Sequence, residues 1–389
     1  MPEQNTFFVL IGIILFLYVY PFFVYPILLC IFTFFERQAS VKDINTDKEL
    51  PFVSVIITAF NEAASIGKKI DNTLSLHYPM EKLEIIVVSD GSFDSTTELA
   101  RKFNNPNVHV IELKERKGKT YAQNAGVNLS KGEVLVFSDA NTILDKSAIR
   151  SIVSWLFSSD KIGCVSGNLI YLGNKRSFGE VGYQRYDTLI KRLESRFFSA
   201  IGVNGAFYAL RRRDFVILPD DIISDFVEPL EIYRVHRKVT VFCENARCFE
   251  EAPYKDRDIK SIFERKSRIV VRGLRGLFYV KELLNPVKHP IMSFELISHK
   301  FMRWASVWLL LLMYLLPLFW HSSLGIRVFA VESLLILLII MLYLTCGRVS
   351  KGSPVIGTLF YFVSLIPADI LAWYYFISGK SFKTWTTKR

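Results

Sequence analysis

No lysine or arginine occurs before Arg37, and only six histidines and five cysteines are spread over the 389 residues. A start that carries Glu3 and no base lacks the cationic leader of a secretory signal, so the apolar run behind it is expected to remain as an anchor. Cys30, Cys164, Cys243, Cys248 and Cys346 form no Cys-x-x-Cys pair. That removes a zinc ribbon and a thioredoxin-type redox motif, and leaves structural thiols in a reducing compartment. The histidines show no metal-ligand spacing. Neither Gly-x-Gly-x-x-Gly nor Gly-x-x-x-x-Gly-Lys-Ser/Thr is present, so the dinucleotide fingerprint and the ATPase phosphate loop are both missing.

What is present is bunched. Hydrophobic residues make up 51% of the chain, yet it carries 48 Lys and Arg against 37 Asp and Glu, a mixture that suits a polar domain joined to membrane spans. Thr6 to Phe35 contains no charge, longer than the roughly 20 residues needed to cross about 30 Å of hydrocarbon. Residues 1–35 are therefore expected to form a first transmembrane helix, and 36–51 a linker. Three further apolar stretches, Trp304 to Trp320, Val328 to Cys346 and Val355 to Ile377, give a C-terminal transmembrane region over 301–378 and four spans in all. Arg37, Lys42 and Lys48 after the first span place the central domain in the cytoplasm. The basic tail 379–389 would then lie outside, against the same rule, unless one late segment is re-entrant or interfacial. Residues 277–300 mix Leu, Ile and Phe with Lys, His and Pro, as an interfacial amphipathic segment would. Glu332 and Asp369 fall within late apolar segments, where they either line a path or sit near headgroups. The net charge of +11 fits attraction to anionic lipid better than nucleic-acid binding.

The central part alternates. Phe52 to Thr58, Glu84 to Ser89, Asn107 to Leu113 and Glu133 to Ser138 read as buried strands, with helical patterns at Ser65 to Leu76, Asp94 to Phe103 and Thr120 to Leu129 between them. This predicts an α/β domain with a mostly parallel sheet. In such sheets ligands bind beyond the carboxyl ends of the strands, and there the chain places Asn61 and Glu62, Asp90, Lys114 to Lys119, and Asp139 with Asn141. A divalent cation on carboxylate oxygens would replace the missing phosphate loop.

Three strings, Val-Ser-Val-Ile-Ile-Thr-Ala-Phe-Asn-Glu, Val-Val-Ser-Asp-Gly-Ser-Phe-Asp-Ser-Thr and Phe-Ser-Asp-Ala-Asn-Thr, resemble family 2 glycosyltransferases over about Phe52 to Gly276. The resemblance is to membrane-anchored members of the cellulose, hyaluronan and poly-N-acetylglucosamine synthase type. It implies a GT-A (Rossmann-like) cytoplasmic domain over 52–276 and a nucleoside diphosphate sugar as donor, usually a uridine diphosphate sugar. By position, Ala59, Asn61, Glu62 and Asp90 match the base-binding segment, and Lys119 matches a basic position near the nucleotide. Asp139 matches the first Asp of an Asp-x-Asp motif that reaches ribose and metal. Asn141 stands at the second and offers only a neutral oxygen to Mn²⁺ or Mg²⁺. Gly205 lies in the acceptor-side segment, and Asp225 matches the catalytic base of a Glu-Asp motif whose Glu is here Ser224.

Arg265 and Arg268 fall in the segment that resembles Gln-x-x-Arg-Trp, with Arg265 for Gln and Ile269 for Trp. Without the stacking aromatic, limited addition to a lipid-linked or polysaccharide acceptor is expected over long-chain polymerisation. The implied partners are donor, acceptor, membrane lipid and envelope-assembly proteins. A processive synthase and a non-catalytic nucleotide-sugar-binding regulator are the alternatives. A regulator would need Asp90 and Asp139 but not Asp225. Read without the resemblance, Asp90 and Asp139 are also ordinary turn or helix caps.

Overall fold

The computed structural model describes residues 2–35, 47–172, 178–251, 259–320, 323–346, 354–380 and 382. Most of the linker and of the basic tail lies outside them. Strands β1 (Val53–Ala59), β2 (Leu83–Asp90), β3 (Val108–Leu113), β4 (Val134–Asp139), β5 (Ile143–Leu144), β6 (Ile162–Leu172), β7 (Phe207–Arg211) and β8 (Val239–Glu251) form one sheet in the order β3-β2-β1-β4-β7-β6-β8-β5.

The four strands expected from the sequence form its parallel half, β3-β2-β1-β4. Their β-branched runs are covered on both faces, as a parallel sheet demands. Helices Ile66–Leu74 and Ala148–Phe157 pack Ile66, Ile70, Ile149 and Ile152 against one face. Helix Lys119–Leu129 sets Ala122 and Val127 against Ile56, Val88 and Phe137 on the other. Each fully buried aliphatic side chain stabilises this core by about 1.5–3 kcal/mol relative to exposure.

The far half departs from the expectation. β7 runs antiparallel to both β4 and β6, β5 is antiparallel to β8, and β6 and β8 are parallel to each other, so the sheet is mixed, with four of its seven strand pairings parallel. β7 is buried throughout and enters the sheet beside β4, with Ser138 opposite Phe207. That direction reversal brings the turn before β7 up to the carboxyl end of β4, which a parallel strand could not do.

Two helices among the described residues are long and apolar enough to cross a membrane, Asn5–Thr33 and Pro290–Phe319. The second begins inside the segment read as interfacial and continues through a π-helical turn, Ile297–Phe301. The remaining apolar stretches are helical as well, Ser323–Cys346 and Pro354–Ile377, with parts of each outside the described side chains. The α/β domain meets this region through a shared cluster in which Phe226 and Leu230 pack on Leu283, Met292 and Leu296.

Candidate active site

Parallel register levels the strand ends. Thr58 pairs with Asp139 and Ala59 with Ser89, so Ala59, Asp90 and Asp139 share one edge of the sheet. Asn61, just beyond β1, adopts a left-handed conformation (φ 53°), which Asn tolerates better than most residues. Its amide N–H donates to Ser92 Oγ at 3.1 Å and its Oδ1 accepts from Phe93 N at 3.1 Å, tying the first two strand ends together. The backbone N–H of Glu62 donates to Thr96 Oγ1 at 2.7 Å.

Asp90 is buried, and its two oxygens accept from the backbone N–H groups of Lys117 (2.7 Å) and Gly118 (2.8 Å). It therefore holds the 114–118 loop over the strand ends, the capping role that its residue type alone would suggest. The loop passes so close to Gly91 (φ +64°) that a Cβ there would lie 2.5 Å from Arg116 N. Arg116 in turn stacks over the Phe60 ring, 3.5 Å from its centroid, and the two close one wall of the crevice.

The other wall is charged. Lys119, first residue of its helix, extends its ammonium to Asp139 Oδ1 (2.5 Å) and to the Gly205 carbonyl (2.8 Å). Burial disfavours that ammonium, but Asp139 and then Asp225 outweigh the penalty and hold its pKa above the ordinary lysine value. Asp225 opens helix Ser224–His236, and its carboxylate lies against Gly205: a Cβ on that glycine would stand 2.4 Å from Oδ2. Lys119, Asp139, Gly205 and Asp225 thus converge in one crevice. Lys191 and Arg272 also lie within electrostatic reach of Asp225.

Beneath these groups runs a buried network that holds the first turn of the helix carrying Asp225. Ser224 Oγ donates to Gln123 Oε1 (2.5 Å), Gln123 Nε2 to Tyr208 Oη (3.2 Å), and Tyr208 Oη to Glu228 Oε2 (2.8 Å). From the same helix, Thr120 Oγ1 donates to the Ile222 carbonyl (2.6 Å) and Asn124 Nδ2 to the Leu218 carbonyl (2.9 Å). Successive residues of Lys-Thr-Tyr-Ala-Gln-Asn therefore steer the segment that presents Asp225. Sequence reading noticed the string but missed Gln123, Tyr208, Glu228, Lys191 and Arg272, because no local pattern links positions 20 to 101 residues apart.

Asp139 and Asn141 were tested as cation ligands by their own partners. Asp139 Oδ1 is taken by Lys119, while among the described residues Oδ2 and the Asn141 side chain have no protein hydrogen bond, so two oxygens remain open at the strand end. No group of three or more His, Cys, Asp or Glu side chains suited to a metal occurs among the described residues. The pair fits a cation whose remaining ligands come from a bound diphosphate. Arg268, on helix Ile259–Tyr279, lies within electrostatic reach of Arg116, and its Nε donates to the Glu264 carbonyl. Arg265, three residues earlier on the same helix, is half-buried.

Residues 54–217 match the family model described as Glycosyl transferase family 2. The chain is 28% identical over 247 residues to the poly-β-1,6-N-acetyl-D-glucosamine synthase of Staphylococcus aureus, covering 59% of each chain. It is 35% identical over 141 residues to glycosyltransferase AglE of Haloferax volcanii, covering 36% of this chain and 45% of the relative. The match thus spans about three-fifths of the length of the synthase. Among solved structures, the mannosyltransferase PcManGT from Pyrobaculum calidifontis, in complex with GDP-Man and Mn²⁺, superposes with a TM-score of 0.67 at 20% identity. The superposition covers 95% of this chain and 99% of that one, and it identifies the fold. With the family model resting on the strands that build the crevice, residues 54–217 form a family 2 glycosyltransferase domain, and the chain is similar to the poly-N-acetylglucosamine synthases.

Proposed function

We propose that the enzyme transfers a sugar, with inversion, from a uridine diphosphate sugar to a hydroxyl of a lipid-linked or polysaccharide acceptor at the cytoplasmic face of the cell membrane. The observation that carries this reading is the placement of Asp225 against Gly205, whose carbonyl is held by the same Lys119 ammonium that pairs with Asp139.

Asp225 accepts the proton of the acceptor hydroxyl as that oxygen attacks the anomeric carbon. One carboxylate suffices, because a single displacement inverts the centre and no sugar ester of the enzyme forms. Gly205 leaves the space in which donor and base approach each other. Lys119 balances charge on the diphosphate side, and Arg265 and Arg268 add cations suited to phosphate oxygens. Asp139 and Asn141 would hold Mn²⁺ or Mg²⁺, which neutralises the leaving diphosphate when bound. Asn61, Glu62 and Asp90 shape the nucleotide side. The four-span topology, with the transferase domain inside and a role in envelope or exopolysaccharide assembly, belongs to the same proposal.

The relationship to a polymer synthase favours a second reading, processive elongation, and Ile269 in place of an aromatic speaks against it. Product length separates the two. The test is nucleoside diphosphate release by the full chain in detergent, with Mn²⁺ or Mg²⁺, across uridine, guanosine and thymidine diphosphate sugars. Turnover with a uridine donor, lost in chelator and in Asp225→Asn, supports the proposal. Turnover that survives Asp225→Asn overturns it.

A further inference from the structure

A second polar cluster lies between the crevice and the membrane helices. Helix Phe178–Phe197 carries Tyr186, Asp187, Lys191 and Glu194 to the meeting point of the two apolar helices Asn5–Thr33 and Pro290–Phe319. Each of these helices has a π-helical turn at that level, Tyr20–Val24 and Ile297–Phe301, and Tyr20 Oη lies 3.0 Å from Ser298 Oγ between them. Such turns widen a helix and redirect side chains, and they recur at functional positions.

The charges here do not balance pairwise. Asp187 pairs with Lys191 at 2.8 Å. Burial opposes ionisation of Asp187, but Lys191 first, then Lys300 and Arg303, hold its carboxyl well below the usual range. One carboxylate is thus shared by three cations. Glu194 accepts from Tyr25 Oη (2.8 Å) and Ile201 N (3.0 Å), pairs with His299 Nδ1 (2.6 Å), and is pushed up to about 8 by burial. Burial thus weakens it as a counter-charge to the neighbouring cations. Glu295 is buried beside Glu194 and Tyr25, away from the cations.

Lys300 has no ion pair and no hydrogen bond among the described residues. Arg303 is 8% exposed; it donates through Nη2 to Tyr186 Oη at 3.1 Å and lies over the Tyr186 and Phe22 rings. Among the described residues no carboxylate lies within ion-pair distance of it, and its Nε is buried with no partner there. A buried guanidinium that only shares a carboxylate already paired with a lysine is incompletely compensated, and in a membrane setting an ionisable group of this kind marks a functional position. Among the described residues only Asp187 lies within ion-pair distance of any of the three cations, and Lys191 relates the cluster to the crevice, standing within electrostatic reach of Asp187, Lys300 and Asp225 alike.

We propose that Lys300 and Arg303, with Lys191, form a binding site for the phosphate of a membrane lipid, held between the two apolar helices and beneath Asp225. This rests on the transferase reading above and names the acceptor class it implies: a lipid whose phosphate is anchored here while its hydroxyl or sugar reaches the base. Apolar helix surface on either side accommodates the hydrocarbon, and the planar Arg303 fork suits two phosphate oxygens at once.

The test uses the full chain in neutral detergent, with dioleoyl phosphatidic acid and dioleoylglycerol as probes that differ only in the phosphate. Binding is followed by native mass spectrometry, with inorganic phosphate as competitor. Wild type is expected to hold the phosphatidic acid at least about tenfold more tightly than the diacylglycerol, and Lys300→Gln/Arg303→Gln to reduce that preference to within about twofold. Arg303→Lys, which keeps the charge, should retain most of it. Equal binding of the two lipids by wild type overturns the site, as does a preference that survives in the double variant. Inorganic phosphate displacing the lipid at comparable concentration would overturn the lipid as its source. Uridine diphosphate binding, measured on every sample, reports the crevice separately. Its loss in wild type would sink the transferase reading, whereas its retention without lipid preference sinks only this inference.

Discussion

Lys119 Nζ lies 2.5 Å from Asp139 Oδ1, and the same ammonium donates to the Gly205 carbonyl at 2.8 Å. One side chain thus links the end of β4, where a diphosphate and its cation would sit, to the turn that faces the base. Because Lys119 occupies one oxygen of Asp139 and Asn141 contributes no charge, a cation held there would rest on a single carboxylate. Asn141→Asp should lower the Mn²⁺ concentration for half-maximal activity by about tenfold, since ligand charge sets divalent affinity. A Mn²⁺ titration that does not move would show that position 141 faces away from the cation.

Asp225→Asn tests the base. The amide keeps the shape of the side chain but cannot accept the acceptor's proton, so turnover should fall by roughly 10²–10⁴-fold. Donor affinity, read by calorimetry, should stay within about twofold, because the donor is held by other residues. Equal losses in both would recast Asp225 as a donor-binding residue.

Gly205→Ala probes the same contact from the other side. The added Cβ would stand 2.4 Å from Asp225 Oδ2 and 3.2 Å from Cγ, so the carboxylate must move. A shift on the order of 1 Å at a reacting group costs about 10²-fold in rate, while overpacking at this half-buried position should cost only about 1–2 kcal/mol of stability. The expected signature is a well-folded, slow enzyme. Wild-type turnover would mean that Asp225 works in another rotamer.

The strands that carry nucleotide-side residues were legible because a parallel strand buried on both faces must be written as an apolar run, and Val53 to Thr58 and Glu84 to Val88 are such runs. β6 and β8 were not: Gly163, Gly167 and polar residues interrupt the first, Glu244 and Arg247 the second, and their pairing includes two register shifts. Asp90 was legible as a polar group at a strand end, but its closure of a loop 27 residues away depends on how that loop folds back. Asp225 was found through the Ile-Ser-Asp string. What orients it could not be, since Ser224, Gln123, Tyr208 and Glu228 meet only after β7 has turned antiparallel.

Glu228 offers a pH-dependent check on that network. Burial pushes its carboxyl up from 4.5 to about 8; the bond from Tyr208 opposes the shift and the charge of Asp225 adds to it. Its Oε1 is buried without a partner, as suits a carboxyl that keeps its proton at neutral pH. The folded state therefore binds this proton more tightly than the unfolded chain does. The stability it confers is complete below pH 4.5 and is lost as pH rises from there through 8, on the order of 5 kcal/mol in all. Glu228→Gln preserves an oxygen for Tyr208 and cannot ionise, so its melting temperature should stay nearly level from pH 5 to 9 where wild type declines. Parallel curves for the two proteins would show that Glu228 is ionised in the folded state, and the buried chain from Ser224 to Glu228 would then have to be neutralised by some other group.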